Sequence, residues 1–231
     1  MKIHGLQKMT LLDYPGKVAC TVFLGGCDFR CPFCHNYELA EGKVPALMED
    51  TELLAFLKKR HGLLDGVAFT GGEPCLHREL PELMKQVRDL GYGVKLDTNG
   101  NHPALLREIL DAGLADYVAM DVKNSPEKYA MTCGLETIDL GPIRESIALI
   151  MDRAPDYQFR TTVVRELHEA EDFHGIGEMI RGAKRYHLQC FTDRDTVPFE
   201  GLHAPTPQEL QAFRDIAAGY VLEAELRGVD A

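Results

Sequence analysis

The feature that most constrains this chain is a hydrophobic period that keeps changing. Apolar runs of strand length occur at 18–24, 67–70, 93–97, 117–122, 158–164 and 186–191. Between them lie stretches whose apolar residues fall three and four apart, at 51–64, 80–90, 103–112, 143–151 and 173–183. Thr51 and Glu52, with Glu49 and Asp50 before them, mark a helix start. Pro103 suits the first turn of its helix, and Gly91 and Gly113 sit where helices end. A last helix is predicted over 207–218, followed by a short apolar piece at 220–226. Strand, helix, strand at this rhythm builds right-handed βαβ units on a parallel sheet, an α/β fold. Six units are too few for a closed eight-stranded barrel. The pattern alone also allows an open doubly wound sheet. No linker, repeat or low-complexity tract divides the chain, so 1–231 reads as a single domain. It would consist of an N-terminal turn over 1–17, a cysteine loop over 25–36 and an extension over 193–231.

In parallel α/β folds ligands gather beyond the carboxyl ends of the strands. Each unusual motif of this chain falls there. Cys27, Cys31 and Cys34, spaced C-x-x-x-C-x-x-C, follow the first strand. Thr70-Gly71-Gly72-Glu73-Pro74 follows the second and Asp97-Thr98-Asn99-Gly100 the third. Asp121 and Lys123 end the fourth, Arg160 lies on the fifth, and Gln189 and Phe191 end the sixth.

Composition removes several classes of function. The net charge of −11 argues against non-specific nucleic-acid binding and against an acidic membrane surface as partner. No apolar run reaches transmembrane length and the start of the chain lacks a signal-peptide core, so a cytoplasmic location is expected. Seven cysteines, an odd number, suit a reducing compartment better than a disulfide scaffold. Cys20, Cys75, Cys133 and Cys190 read as small buried hydrophobes, with Cys75 close enough to the glycine motif to lie near a ligand.

Three thiolates bunched within residues 27–34 can hold three irons of a cubane cluster and leave the fourth iron open, where most iron–sulfur sites close with a further cysteine. A zinc site is the alternative, but zinc usually takes four ligands, and His35 adjoins Cys34 too closely to wrap the same ion easily. Gly71 and Gly72 let backbone groups approach a ligand, and the Glu73 carboxylate can accept from an ammonium group; a plain strand-ending turn is the other reading. Asp97, Thr98 and Asn99 can bond hydroxyls, meet a carboxylate or help to hold a cation, or simply form an Asx-rich turn before the Pro103 helix. Arg160 offers a planar fork for a carboxylate, with a salt bridge as its competing role.

The cysteine spacing, with Phe33 before the last cysteine, resembles the signature of the radical S-adenosylmethionine (SAM) superfamily, and Gly71-Gly72-Glu73-Pro74 resembles its second motif. The resemblance implies a partial (β/α)6 barrel and a [4Fe–4S] cluster on Cys27, Cys31 and Cys34. It further implies that SAM chelates the open iron and is split by one electron to methionine and a 5′-deoxyadenosyl radical. It implies a cradle for the methionine amino group at Gly71, Gly72 and Glu73. Phe33 and the backbone of Cys34 and His35 would read the adenine, with Gln189 completing the pocket, and Asp97, Thr98, Asn99 and Arg160 would contact the rest of SAM.

The stretch 5–18, with Asp13-Tyr14-Pro15-Gly16, resembles the opening of activases of anaerobic ribonucleoside-triphosphate reductase, members of the glycyl-radical-enzyme activase family. Residues 95–100 resemble the matching stretch of that family. The partners implied are a glycyl-radical enzyme, an anaerobic ribonucleotide reductase, and a flavodoxin- or ferredoxin-like electron donor. Asp13 and Tyr14 would meet the partner's glycine segment; a turn-initiating aspartate is the alternative for Asp13. Two other readings remain: a radical SAM enzyme acting on a small molecule such as a deazapurine precursor, and a non-catalytic iron–sulfur or zinc module.

Overall fold

The computed structural model describes residues 1–228. A short strand β1 (Lys2–Ile3) precedes β2 (Gly5–Thr10) and β3 (Ala19–Leu24). The cysteine loop then leads through a single-turn helix, α1 (Tyr37–Ala40), to β4 (Met48–Glu49), which pairs antiparallel with β1. Helix α2 (Asp50–Lys59) starts on a reciprocal capping box between Glu49 and Glu52. It stops earlier than the periodicity predicts, because Gly62 at φ 80° turns the chain and Leu64 bridges to His61.

The remaining units follow as β5 (Gly66–Gly71), α3 (Leu80–Asp89), β6 (Gly93–Thr98), α4 (Pro103–Asp111) and β7 (Tyr117–Asp121). After the short α5 (Tyr129–Thr132) come α6 (Gly141–Arg153), β8 (Tyr157–Val163), α7 (Ala170–Met179), β9 (Arg185–Cys190), α8 (Pro207–Ala217) and β10 (Glu223–Arg227). Proline in the first turn of α3, α4, α6 and α8 pre-sets φ where no hydrogen bond is lost.

Strands β3 and β5 to β10 run parallel in one sheet of order β10-β9-β8-β7-β6-β5-β3-β2, and β2 closes one edge antiparallel to β3. The six expected strands are all present, and the fold is α/β with a mainly parallel sheet. The structure adds one strand at each edge. β2, within the expected N-terminal turn, was not legible because Gln7, Lys8 and Met9 are exposed on an edge strand. β10 carries Glu223, Glu225 and Arg227 in alternation and hides in what reads as a short apolar piece.

Side chains alternate across each strand. Val94, Leu96, Val118 and Met120 are fully buried in the large apolar core, whereas their neighbours Lys95, Asp97 and Asp121 belong to the other, polar face. That polar face is what positions the site. At the amino ends of the strands it is floored by Tyr14, Ala19, Tyr117 and Ala119. Among the described residues no helix is long and apolar enough to cross a membrane.

Candidate active site

At the carboxyl ends of the strands lies a cavity of about 400 Å³. Its wall holds Cys27, Cys31, Cys34, Phe33 and His35 from the cysteine loop, Gly71 and Gly72 at the end of β5, and Asp97, Thr98 and Asn99 at the end of β6. Asp121 at the end of β7 and Lys123 just beyond it, Arg160 and Thr162 on β8, and Gln189 on β9 also line it. Residues spread from 7 to 189 in sequence therefore meet at one place, as the shared strand-end location requires.

The cysteine loop is held from several sides. Gly26 N donates to Leu39 O at 2.9 Å and Cys27 N to Ala40 O at 3.0 Å, so α1 backs the loop. Cys34 N donates to Cys31 O at 3.1 Å, a turn that draws those two cysteines together. The Arg30 guanidinium folds back on the carbonyls of Cys27 and Phe29. All three thiols are free. Burial pushes Cys27 up to about 12 and raises Cys34. Cys31 is drawn down to about 7, because the Cys133 thiol hydrogen-bonds it, with burial opposing. Cys133 is thus more than the inert packing its position in the sequence suggests. Its carbonyl also accepts from Arg30 N at 2.8 Å. His35 donates to Thr192 O at 2.7 Å and stacks on Phe191, so its ring is committed away from the thiols.

The glycine motif is set by the neighbouring loop. Gly72 N donates to Leu24 O and Glu73 N to Gly26 O, both at 2.8 Å. A Cβ on Gly72 would lie 1.9 Å from Gly26 O, and one on Gly71, at φ 122°, 2.4 Å from Leu24 O. Gly72 is therefore required by the approach of the cysteine loop, and Gly71 by the end of β3 that leads into it.

Glu73 departs from its expected place. Its carboxylate is wholly buried and outside the cavity wall, accepting from Cys75 N and the Thr98 hydroxyl at 2.8 Å each and from Asn99 N at 2.6 Å. Burial still pushes it up to about 7. It ties two loops together and is not aimed at a ligand's ammonium group. Cys75 is likewise buried, beside Glu73 and Thr98 and away from the cavity.

Opposite the cysteines runs a chain of ion pairs: Lys95 to Asp97, Asp97 to Arg160 at 3.3 Å, Arg160 to Asp121, and Asp121 to Lys123 at 2.7 Å. Three cations and two anions leave this wall net positive in a chain of −11. Against the upward push of burial, Arg160 and Lys123 hold Asp121 well below the usual carboxylate range, and Lys95 and Arg160 lower Asp97. Arg160 thus lines the cavity and spends Nε and Nη2 on protein carboxylates, the salt-bridge role that competed with a fork for a ligand's carboxylate. The Lys123 ammonium lies 6.0 Å from the centre of the Phe33 ring.

Asp13 and Tyr14 part company. Asp13 lines the cavity and accepts from the Thr21 hydroxyl at 2.5 Å. Tyr14 is buried at the other end of the sheet, against Gly66 and Gly93, the first residues of β5 and β6. It is a floor residue and does not reach the cavity mouth, contrary to expectation.

Comparison with known proteins decides the family. The radical SAM superfamily model matches residues 21–175. The chain belongs to the radical SAM superfamily. A candidate glycyl-radical enzyme activating enzyme of Methanocaldococcus jannaschii is 30% identical over 240 residues, covering 99% of this chain and 96% of that protein. The pyruvate formate-lyase-activating enzyme of Clostridium pasteurianum is 34% identical over 131 residues, 53% of this chain and 52% of that enzyme. A crystal structure of a domain of pyruvate-formate lyase-activating enzyme from Bacteroides vulgatus shares the fold, with a TM-score of 0.56 at 20% identity over 71% of this chain and 99% of that domain.

Radical SAM enzymes use a [4Fe–4S] cluster and SAM, and the donor set here fits both. Cys27, Cys31 and Cys34 are three free thiols on one loop facing a single cavity. The net positive wall opposite would offset the charge of thiolates and of a SAM carboxylate. Asp28 carries no local sequence signal, because its partners lie far along the chain. It accepts from Asn99 Nδ2 at 2.8 Å, from Asn101 Nδ2 and from His102 Nε2 at 3.1 Å, and so staples the cysteine loop to the segment after β6. Inward alternation along β6 and β3 is the signal that places Lys95 and Thr21, whereas Gln7, on the exposed edge strand β2, is placed only by pairing opposite Thr21.

Proposed function

We propose that this chain is a glycyl-radical-enzyme activase: a radical SAM enzyme that abstracts an α-hydrogen from a backbone glycine of a partner protein. Residues 1–231 would act as one radical SAM core domain. The observation that carries the reading is Asp13. The N-terminal segment, after forming β2, returns to place this carboxylate in the cavity wall that holds the three cysteines. Similarity to a candidate activase along nearly the whole chain supports the same reading. The bound cofactors would supply one-electron cleavage of SAM. The chain's own residues would position the cofactors and exclude water: the cysteine loop would hold the cluster, the ion-paired wall would offset the SAM carboxylate, and Phe33 would offer an apolar face for adenine.

The partner we infer is an anaerobic ribonucleoside-triphosphate reductase, from the Asp13-Tyr14-Pro15-Gly16 segment, with a flavodoxin- or ferredoxin-like protein delivering the electron. The reaction is tested with reconstituted protein, SAM, a reductant and the partner's glycine loop. A glycine-centred doublet in the electron paramagnetic resonance is expected, with deuterium from an α-deuterated glycine passing into 5′-deoxyadenosine. Asp13→Ala should impair radical installation more than uncoupled SAM cleavage. Efficient turnover of a small heterocycle, with no glycyl radical on any reductase, would replace this reading by the small-molecule one.

A further inference from the structure

The hydrogen bonds of Asn99 fix its amide in one orientation. Its Oδ1 accepts from Asn101 N at 2.9 Å, and its Nδ2 donates to Asp28 Oδ1 at 2.8 Å. A backbone N–H can only donate and a carboxylate can only accept, so the two ends of the amide cannot be exchanged. Asp28 is itself held in place by Asn101 Nδ2 and by His102 Nε2 at 3.1 Å. The second hydrogen of Asn99 Nδ2 then faces Cys27 Sγ, at 3.8 Å. Phe29 N approaches the same sulfur at 3.4 Å. Asn99 is 6% exposed, so water does not compete strongly for that hydrogen.

From this geometry we propose that Asn99 is a positioning residue for the cluster, its side-chain amide donating to the Cys27 thiolate and raising the cluster's reduction potential, with Asp28 locking the amide in the donating orientation. Hydrogen bonds to cluster sulfurs are one of the levers that set iron–sulfur potentials. The direction follows from charge. Reduction adds an electron to an anionic assembly, and an N–H pointed at a coordinating sulfur stabilises that added charge. The arrangement makes the cluster easier to reduce, a useful property where an external donor must supply the electron. The assignment gives Asn99 a task different from the ribose or carboxylate contact that its residue type suggests, since both its amide hydrogens are already placed.

The test is a redox titration of the reconstituted protein without SAM, followed by electron paramagnetic resonance. Asn99→Ala should shift the one-electron equilibrium toward the oxidised cluster by about tenfold, or about 59 mV to lower potential. An unchanged potential at full iron content would overturn the proposal. Should Asn99→Ala fail to hold a cluster, the unaltered protein is measured instead, with asparagine labelled by ¹⁵N at the side-chain nitrogen alone. A ¹⁵N hyperfine coupling in the reduced cluster is expected, and its absence would overturn the assignment. Neither readout needs a glycyl-radical partner, so this inference and the activase reading fail independently.

Discussion

On the β3–β5 side of the cavity, backbone meets backbone: Gly72 N reaches Leu24 O and Glu73 N reaches Gly26 O, each at 2.8 Å. On the β6–β8 side the strands are joined across the cavity face by long side chains, with Arg160 between Asp97 and Asp121. The first arrangement has no slack, because the partner atoms are fixed in the main chain. The second can re-form, because five flexible or rotatable side chains share the load. The three cysteines proposed to hold the cluster sit on the side without slack, and the ion-paired wall is the adjustable one. Substitutions should therefore behave very differently on the two sides.

The largest effect is expected from the smallest chemical change. Gly72→Ala adds one methyl group 1.9 Å from Gly26 O, next to Cys27, and no rotamer relieves it. Its iron content after reconstitution should collapse toward that of Cys27→Ala, Cys31→Ala or Cys34→Ala, and SAM cleavage with it. Iron analysis and the visible absorbance of the cluster measure this. A Gly72→Ala protein with a full cluster and merely weaker SAM binding would show that the two loops can separate, and the contrast would fail.

The ion-paired side should yield less. Asp121→Asn leaves Arg160 and Lys123 with one carboxylate fewer in a mostly buried place, a loss of about 2–3 kcal/mol in unfolding free energy. Urea unfolding of the apoprotein reads it. Iron content should stay near that of the unaltered protein, since no cysteine-loop backbone depends on Asp121. Loss of iron in Asp121→Asn would mean that the two sides are coupled.

How much of this was readable beforehand differs along the same lines. Strands β3 and β5 to β9 were legible because each carries a strand-length set of buried apolar residues, in a continuous run or alternating with the polar cavity face. The edge strands were not, since β2 exposes Gln7 and Lys8 and draws its place from pairing with β3. The cysteines and glycines were legible because their chemistry lies within a few residues. Glu73 was misplaced because an acid in a loop reads as exposed, and only its tertiary neighbours bury it. Tyr14 was misplaced by adjacency to Asp13, although the bend over residues 11–14 sends the two side chains to different places, Asp13 to the cavity and Tyr14 against Gly66 and Gly93. Asp28, whose partners Asn101 and His102 lie on another loop, could not be read from local pattern.

Asp28 gives a test on the cysteine side that depends on pH. Against burial, the bonds from His102, Asn101 and Asn99 draw its pKa from 3.8 down to about 2 on folding. A depressed carboxylate adds stability that is present above its unfolded value and lost as pH falls through the folded one. The apoprotein should therefore lose about 2 kcal/mol between roughly pH 4 and 2 through this group. Asp28→Asn should remove that part of the pH dependence. A profile identical to that of the unaltered apoprotein would mean that the staple between the cysteine loop and the segment after β6 is absent in solution.

The smallest effect is expected from Arg160→Lys. Lysine keeps the charge but offers one ammonium where arginine offers a fork. It can satisfy Asp121 or Asp97 and cannot span both from Nε and Nη2 as Arg160 does. Lys95 still pairs with Asp97, and Lys123 with Asp121, so neither carboxylate is left alone. The cost should be about 1 kcal/mol, one charge-assisted hydrogen bond in a partly exposed setting. The cluster should assemble normally, and SAM affinity, measured by calorimetry on the reconstituted protein, should fall less than in Asp121→Asn. The comparison is then at its sharpest: on one side a conservative change between two long cations is absorbed, while on the other a single methyl group is not. If Arg160→Lys abolishes SAM binding outright, the fork itself is the recognition element, and the ion-paired wall is as unforgiving as the glycine one.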